Sequence, residues 1–210
     1  VTRNLKVYAT LRSASDAELV AFCAGCAERG WGIIRQISAP EDAERYQEML
    51  ELCWNAASGE ISEAAASEIV EQAEADLGSE EVDPMSQDFY GLQCTMLVVN
   101  TLAVYLNPSP ERAELSGQTL ETILSDFDFT LSGEVSRIVK YGDPQPPADR
   151  LQRVEQGAQR WFIENGVDGE GGQLTREFLD RFRAYCGDKA NELSSAFPDV
   201  ADRKGWDLLQ

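Results

Sequence analysis

Histidine is absent from this sequence. Its absence removes the commonest general base, the commonest metal ligand and every serine or cysteine triad that relies on imidazole. Positive charge is scarce as well: 18 Lys and Arg stand against 37 Asp and Glu, a formal net charge of −19. A surface of that sign repels nucleic acid and anionic lipid, so neither is an expected partner. Uninterrupted apolar runs are short of what a bilayer crossing needs, and no membrane association is expected. No basic-then-apolar leader opens the chain, which makes the cytoplasm the expected compartment. Cysteine is sparse and odd in number. Cys23, Cys26, Cys53, Cys94 and Cys186 each fall inside an apolar helical pattern, as reduced thiols used as small hydrophobes do. There is no phosphate-cradling loop, nucleophile elbow or nucleotide fingerprint. No catalytic residue, cofactor or metal is therefore expected, and the chain reads as a non-enzyme.

What is present is helix punctuation. The 210 residues suffice for one sizeable core, and the expected organisation is a single helical domain over 1–210. Ser15 with Glu18 forms a capping box, after which Leu19, Phe22, Cys23 and Cys26 repeat at helical spacing until Gly30. Ser38 with Glu41, and Pro40 in the first turn, open a second helix that carries Tyr46, Met49, Leu50, Cys53 and Trp54 up to Gly59. Ser62 caps a third, with Ala65, Ile69, Ala73 and Leu77 on a thin apolar face, which places it at the surface. The segment Phe89 to Leu106 is apolar nearly all round and is the expected central helix. Asn107-Pro108-Ser109-Pro110 ends it. A helix from about Thr119 to Tyr141 follows, with Leu120, Ile123, Leu124, Phe127, Leu131, Val135 and Ile138 as its buried stripe. The Pro-rich stretch at 140–147 then breaks the chain ahead of a C-terminal helical pair, Ala148 to Asn165 and Thr175 to Leu193. A tail from Phe197 ends in Trp206 and Leu208, placed to pack back on the body. Only Thr2 to Thr10 and Gly32 to Ile37 read as extended. The fold class is thus all-α, a compact bundle of about seven helices.

Three stretches bear on chemistry. Cys23-Ala24-Gly25-Cys26 is a C-x-x-C, but it falls in mid-helix, two turns past the cap, where core packing is the better reading. The loop from Gly166 to Gln173 resembles a calcium-binding loop. Counted from Asp168, Glu177 falls at position 10 and glycine at 5. Counted from Gly166, Glu177 is at 12, but position 1 has no oxygen and Gln173 fills the apolar slot, so a helix–helix turn fits better. Asp126 and Asp128 alternate with Phe127 and Phe129 in an apolar helix. A buried aspartate needs a partner, with Arg137 and Arg160 the candidates.

Four patterns in order carry a resemblance. Phe22 to Arg29 fits F-x-A-x-x-x-E-R, followed by Tyr46-x-x-x-Leu50-Glu51-Leu52-Cys53-Trp54, then Asp88-Phe89-Tyr90-Gly91, then Ser116-Gly117-x-Thr119-Leu120-Glu121. Together they resemble the all-helical bacterial family of unknown function typified by the YjaG protein, over about Phe22 to Val135. The resemblance implies a compact helical bundle and no catalytic residues. Some relatives in that family are thought to be immunity proteins of polymorphic toxin systems, which implies here a cytosolic inhibitor that masks a toxin.

The acidic excess is uneven. Between Glu41 and Asp88 stand fifteen acids and one base, Arg45. Such a field steers basic partners inward, although a merely solvated helix face would look the same. Two surfaces are candidates for a basic protein partner. One is Glu28, Arg29 and Trp31, beside the apolar turn Trp31 to Ile37, which either presents an aromatic anchor or tucks into the core. The other is the acidic third helix and its exit: Glu63, Glu71, Glu74, Glu80 and Glu81. The expected function is a non-catalytic binding or inhibitor protein, in its specific form an acidic immunity protein against a basic toxin domain. A helical scaffold or adaptor and a carboxylate-based metal binder or enzyme are the alternatives.

Overall fold

The computed structural model describes residues 1–77, 82–134, 147–167 and 174–208. Among these, eight helices form: α1 (Leu5–Leu11), α2 (Asp16–Ile37), α3 (Pro40–Ala57), α4 (Glu63–Leu77), α5 (Gln87–Leu106), α6 (Pro110–Ser132), α7 (Arg150–Gly166) and α8 (Arg176–Lys204). The fold is all-helical, with one helix more than expected; the break at 140–147 lies almost wholly outside the described residues.

Local chemistry sets most of the starts. The capping box of α2 is formed, with the Ser15 N–H donating to Glu18 at 2.6 Å. The Oγ atoms of Ser62, Ser86, Ser109 and Thr175 each accept an N–H three residues on, opening α4, α5, α6 and α8. α3 starts differently: Ala39 is its N-cap and makes no side-chain bond, so Pro40, pre-set in φ, opens the helix while Ser38 closes α2 instead. Positive φ at Gly133 and Gly205 ends α6 and α8.

Elsewhere the structure departs from the sequence reading. α2 does not stop at Gly30; it runs to Ile37, so Gly32 to Ile37 is neither a turn nor a strand. The reason is packing. A Cβ on Gly30 would stand 2.9 Å from the Tyr46 hydroxyl, and one on Gly32 only 2.3 Å from the Ala190 carbonyl oxygen. These glycines let α3 and α8 approach α2; they do not end it. The N-terminal segment is helical rather than extended, because Val7, Tyr8 and Leu11 bury on a helical spacing. The proline pair after α5 introduces α6, which begins nine residues before the expected Thr119 and ends at Ser132; Val135 and Ile138 fall outside the described residues. α8 continues through Pro198, since Phe197, Val200 and Ala201 are buried on one face. Burial of that face outweighs the roughly 3 kcal/mol that an interior proline costs.

α2 takes the central position that the sequence suggested for α5. Sixteen of its 22 residues are buried, and α3, α5, α6, α7 and α8 all pack around it. Its small residues, Ala21, Ala24, Gly25 and Ala27 among them, allow neighbours on every side. α5 packs on α2, α3, α4 and α6. By length and composition alone α5 could cross a membrane, and here under half of its apolar window is buried. Seven helices supply buried side chains to one contiguous core, and α4 rests on it through Ile69 and Val70. Trp206 folds back as expected, stacked on Phe197 and donating its indole N–H to the Met85 carbonyl at 3.2 Å.

Candidate functional site

Two depressions flank α3. The first is a notch of about 460 Å³ where α2, α3 and α8 meet, lined by Glu28, Trp31, Glu44, Glu48, Glu51 and Arg183, together with Gln47 and Leu50. Trp31 is half-buried, its ring stacked on Tyr46 with centroids 6.0 Å apart. Tyr46 is itself held by donating its hydroxyl to the Ala27 carbonyl at 2.7 Å. Trp31 is therefore an aromatic surface fixed from beneath. Around it, Arg183 forks onto Glu51 and stands 3.5 Å from Glu28, while the Trp54 indole donates to Glu28 at 2.7 Å. Burial raises the Glu28 pKa above the ordinary carboxylate value, and the Trp54 and Arg183 donors hold it back. The Arg183 hydrogen bond lowers that of Glu51. Glu44 and Glu48 stay exposed at the rim.

The second depression is a groove of about 800 Å³ between α3 and α4, floored by α5 and the end of α2. Met49, Leu52, Ile69 and Leu92 make it apolar, and Asp42, Glu48, Glu68 and Asp88 make its edge acidic on balance, with Arg45 the one base in the lining. Glu48 borders both depressions.

The expected site residues separate on this map. Glu28 and Trp31 come together in the notch. Arg29 does not join them: it is 1% exposed and lies in the core, where its Nε and Nη2 donate to Glu155 at 2.5 and 2.7 Å. It also reaches the sulfurs of Cys186 and Cys26 at 3.1 and 3.3 Å. No partner can touch it, and its role is to tie α2 to α7 and α8. Its position seven residues after Phe22 and three after Cys26 puts it on the buried face, a signal its charge concealed. Glu63 and Glu71 are exposed on α4, where Glu71 accepts from Ser67 at 3.0 Å, so they belong to a separate surface from Trp31. Glu80 and Glu81 lie outside the described residues, as does the side chain of Glu74.

The remaining stretches resolve as structure. All five cysteines are buried and free, and burial pushes the thiols of Cys23, Cys94 and Cys186 up to about 12. Among the described residues no group of three acidic, cysteine or histidine side chains could hold a metal; most of the glycine-rich loop, 168–173, is outside them. Of the arginines considered for Asp128, Arg160 does not bond it and Arg137 lies outside the described residues. The two Asp128 oxygens take the Leu151 and Gln152 N–H groups at 2.9 Å each, an N-terminal cap on α7 delivered from α6. Asp126 is more exposed, accepting from Tyr90 at 2.6 Å and pairing with Lys204 at 2.7 Å.

Sequence reasoning missed a buried polar layer that joins α1, α6 and α7. Asn4 donates its backbone N–H to Glu121 at 3.1 Å and its side chain to Gln159 at 3.1 Å; Gln159 donates on to Glu155 at 3.0 Å. Enclosed, and hydrogen-bonded throughout except at one Glu121 oxygen, this layer fastens helices. The motifs behind the family resemblance are ties of the same kind, with Trp54 meeting Glu28 and Tyr46 meeting Ala27 across the α2–α3 contact. No protein-family model, curated protein or solved structure matches this chain.

Proposed function

We propose that this protein works by binding a basic protein partner through the acidic side of α3, without catalysing a reaction. The observation that carries the reading is the notch: a half-buried Trp31, braced by Tyr46, inside a rim that includes the exposed carboxylates Glu44 and Glu48. A rigid aromatic surrounded by charge is the makeup of an interface hot spot, with the aromatic supplying affinity and the acids supplying steering and selectivity. In its specific form the partner is a basic toxin domain and this chain is its inhibitor, as the family resemblance implies.

The test is binding of the purified chain to the basic product of a neighbouring gene, at about 50 and about 500 mM NaCl. The expected result is an association weakened at least about tenfold by salt, and similarly by the double substitution Glu44→Lys, Glu48→Lys. Affinity indifferent to both changes would overturn the reading. A partner encoded elsewhere and lacking toxicity would transfer the site to an adaptor.

A further inference from the structure

From the groove between α3 and α4 we infer a docking site for a basic amphipathic helix of about three turns, presented by the partner. The inference rests on the basic-partner reading and names the element such a partner would insert. The groove exists because α4 packs on α5 while α3 packs on α2 and α5, leaving a strip of α5 uncovered between them. Along α3 its wall runs from Asp42 to Leu52, about 15 Å at 1.5 Å per residue, which matches about ten residues of helix. Met49 and Leu52 on the α3 wall, Ile69 on the α4 wall and Ile37 and Leu92 below them give the groove an aliphatic interior, with Gly91 at the base. An apolar trough of this kind takes side chains spaced i, i+3/i+4 and i+7 on one helix face.

Charge selects the occupant. Asp42 and Glu48 stand on the α3 side with Arg45 between them, Glu68 on the α4 side and Asp88 on α5, four acids to one base. All four are exposed, and none makes a side-chain hydrogen bond or ion pair among the described residues. A helix lying on the floor would set its flanking lysines or arginines against these carboxylates. A second copy of this chain is disfavoured, because each copy carries a net charge of −19.

Gly91 offers a clean probe. A Cβ there meets only Ile37 Cδ1, at 3.8 Å, which is ordinary contact. Gly91→Leu therefore fills the floor while favouring the helix it sits in. The experiment is fluorescence anisotropy with a labelled Leu/Lys amphipathic peptide of about fourteen residues. Controls are a Leu/Glu version with the same spacing and a Leu/Lys version scrambled to abolish the apolar face. The Leu/Lys helix should bind with a dissociation constant in the micromolar range, at least about tenfold more weakly to Gly91→Leu, and neither control should bind. Amide shifts on the intact protein should map to Met49, Ile69 and Thr95, a readout that needs no variant.

Several results would overturn the inference: no binding of the Leu/Lys helix, equal binding of the scrambled peptide, or shifts confined to the notch. So would a free chain that sediments as a dimer and becomes monomeric in Gly91→Leu, since the occupant would then be a second copy. The neighbouring-gene partner separates this inference from the reading beneath it. If that partner is lost in the Glu44→Lys, Glu48→Lys variant yet held normally by Gly91→Leu, the helix-docking inference fails and the basic-partner reading stands. If salt and both variants leave it unchanged, both fail.

Discussion

Glu121 is fully buried where α1 meets α6. One oxygen accepts the Asn4 N–H at 3.1 Å, and the other lies 3.5 Å from Arg3 Nη1. Burial pushes its pKa up from 4.5 to about 7, and the nearby charge of Glu155 adds to the effect, while Tyr8, Arg3 and the Asn4 N–H oppose it. A carboxyl with a raised folded-state pKa holds its proton more tightly in the native chain than in the unfolded one. Its stabilising contribution is complete below the unfolded value near 4.5 and is lost as pH rises through about 7. Glu121→Gln keeps an acceptor for Asn4 and cannot ionise. Between about pH 5 and pH 8 the variant should gain on the order of 2 kcal/mol relative to the natural chain. Urea midpoints at the two pH values measure this, and a difference that does not change with pH would refute the assignment. Nothing in the sequence around Glu121 announces this setting, since Asn4, Arg3 and Glu155 arrive from distant parts of the chain.

At the scale of elements, the glycines of α2 decide how closely helices pack. Gly32 lies against the α8 backbone, and an added methyl would stand 2.3 Å from the Ala190 carbonyl oxygen. Backbone cannot swing aside as a side chain does, so Gly32→Ala should force α2 and α8 apart and cost about 3 kcal/mol. Gly91 of α5 faces the open groove, and Gly91→Ala should instead be neutral or stabilising by up to about 1 kcal/mol. Chemical denaturation of the two variants makes the comparison, and equal effects would mean that helix propensity, not close approach, governs Gly32. In the sequence Gly32 falls in a stretch read as a turn and Gly91 inside an expected helix, and neither shows what it packs against. Only the neighbour each one faces tells them apart.

The whole molecule carries more repulsion than its bases can relieve. With 37 acids against 18 bases, pairs such as Arg183–Glu51, Arg176–Glu60 and Lys204–Asp126 neutralise only part of the surface. Screening should therefore stabilise the free chain, while weakening the complex proposed above. Raising NaCl from about 20 to about 500 mM should lift Tm by a few degrees. A fall in Tm would show that the native ion pairs outweigh the net repulsion. The opposite signs expected for folding and for binding follow from one charge excess, and measuring both on one preparation tests whether that excess serves the partner.

By itself the sequence determined where helices begin and which side chains repeat on their buried faces. Caps such as Ser15 with Glu18, Ser86 and Thr175 act within one turn, and the 3.6-residue period acts within one element, so both are readable locally. Glu28 and Trp31 were legible as neighbours because they lie three residues apart, although the sequence placed Trp31 in a turn and the structure places it on α2. The tertiary structure decided what depends on remote chain: α2 rather than α5 at the centre, and the inward turn of Arg29 toward Glu155, 126 residues away. It also placed Arg183 on the notch, 132 residues from the Glu51 it holds, and parted α3 from α4 to leave the groove. Burial is a property of the assembled core, and a charge or a glycine takes its meaning only from what the fold sets against it.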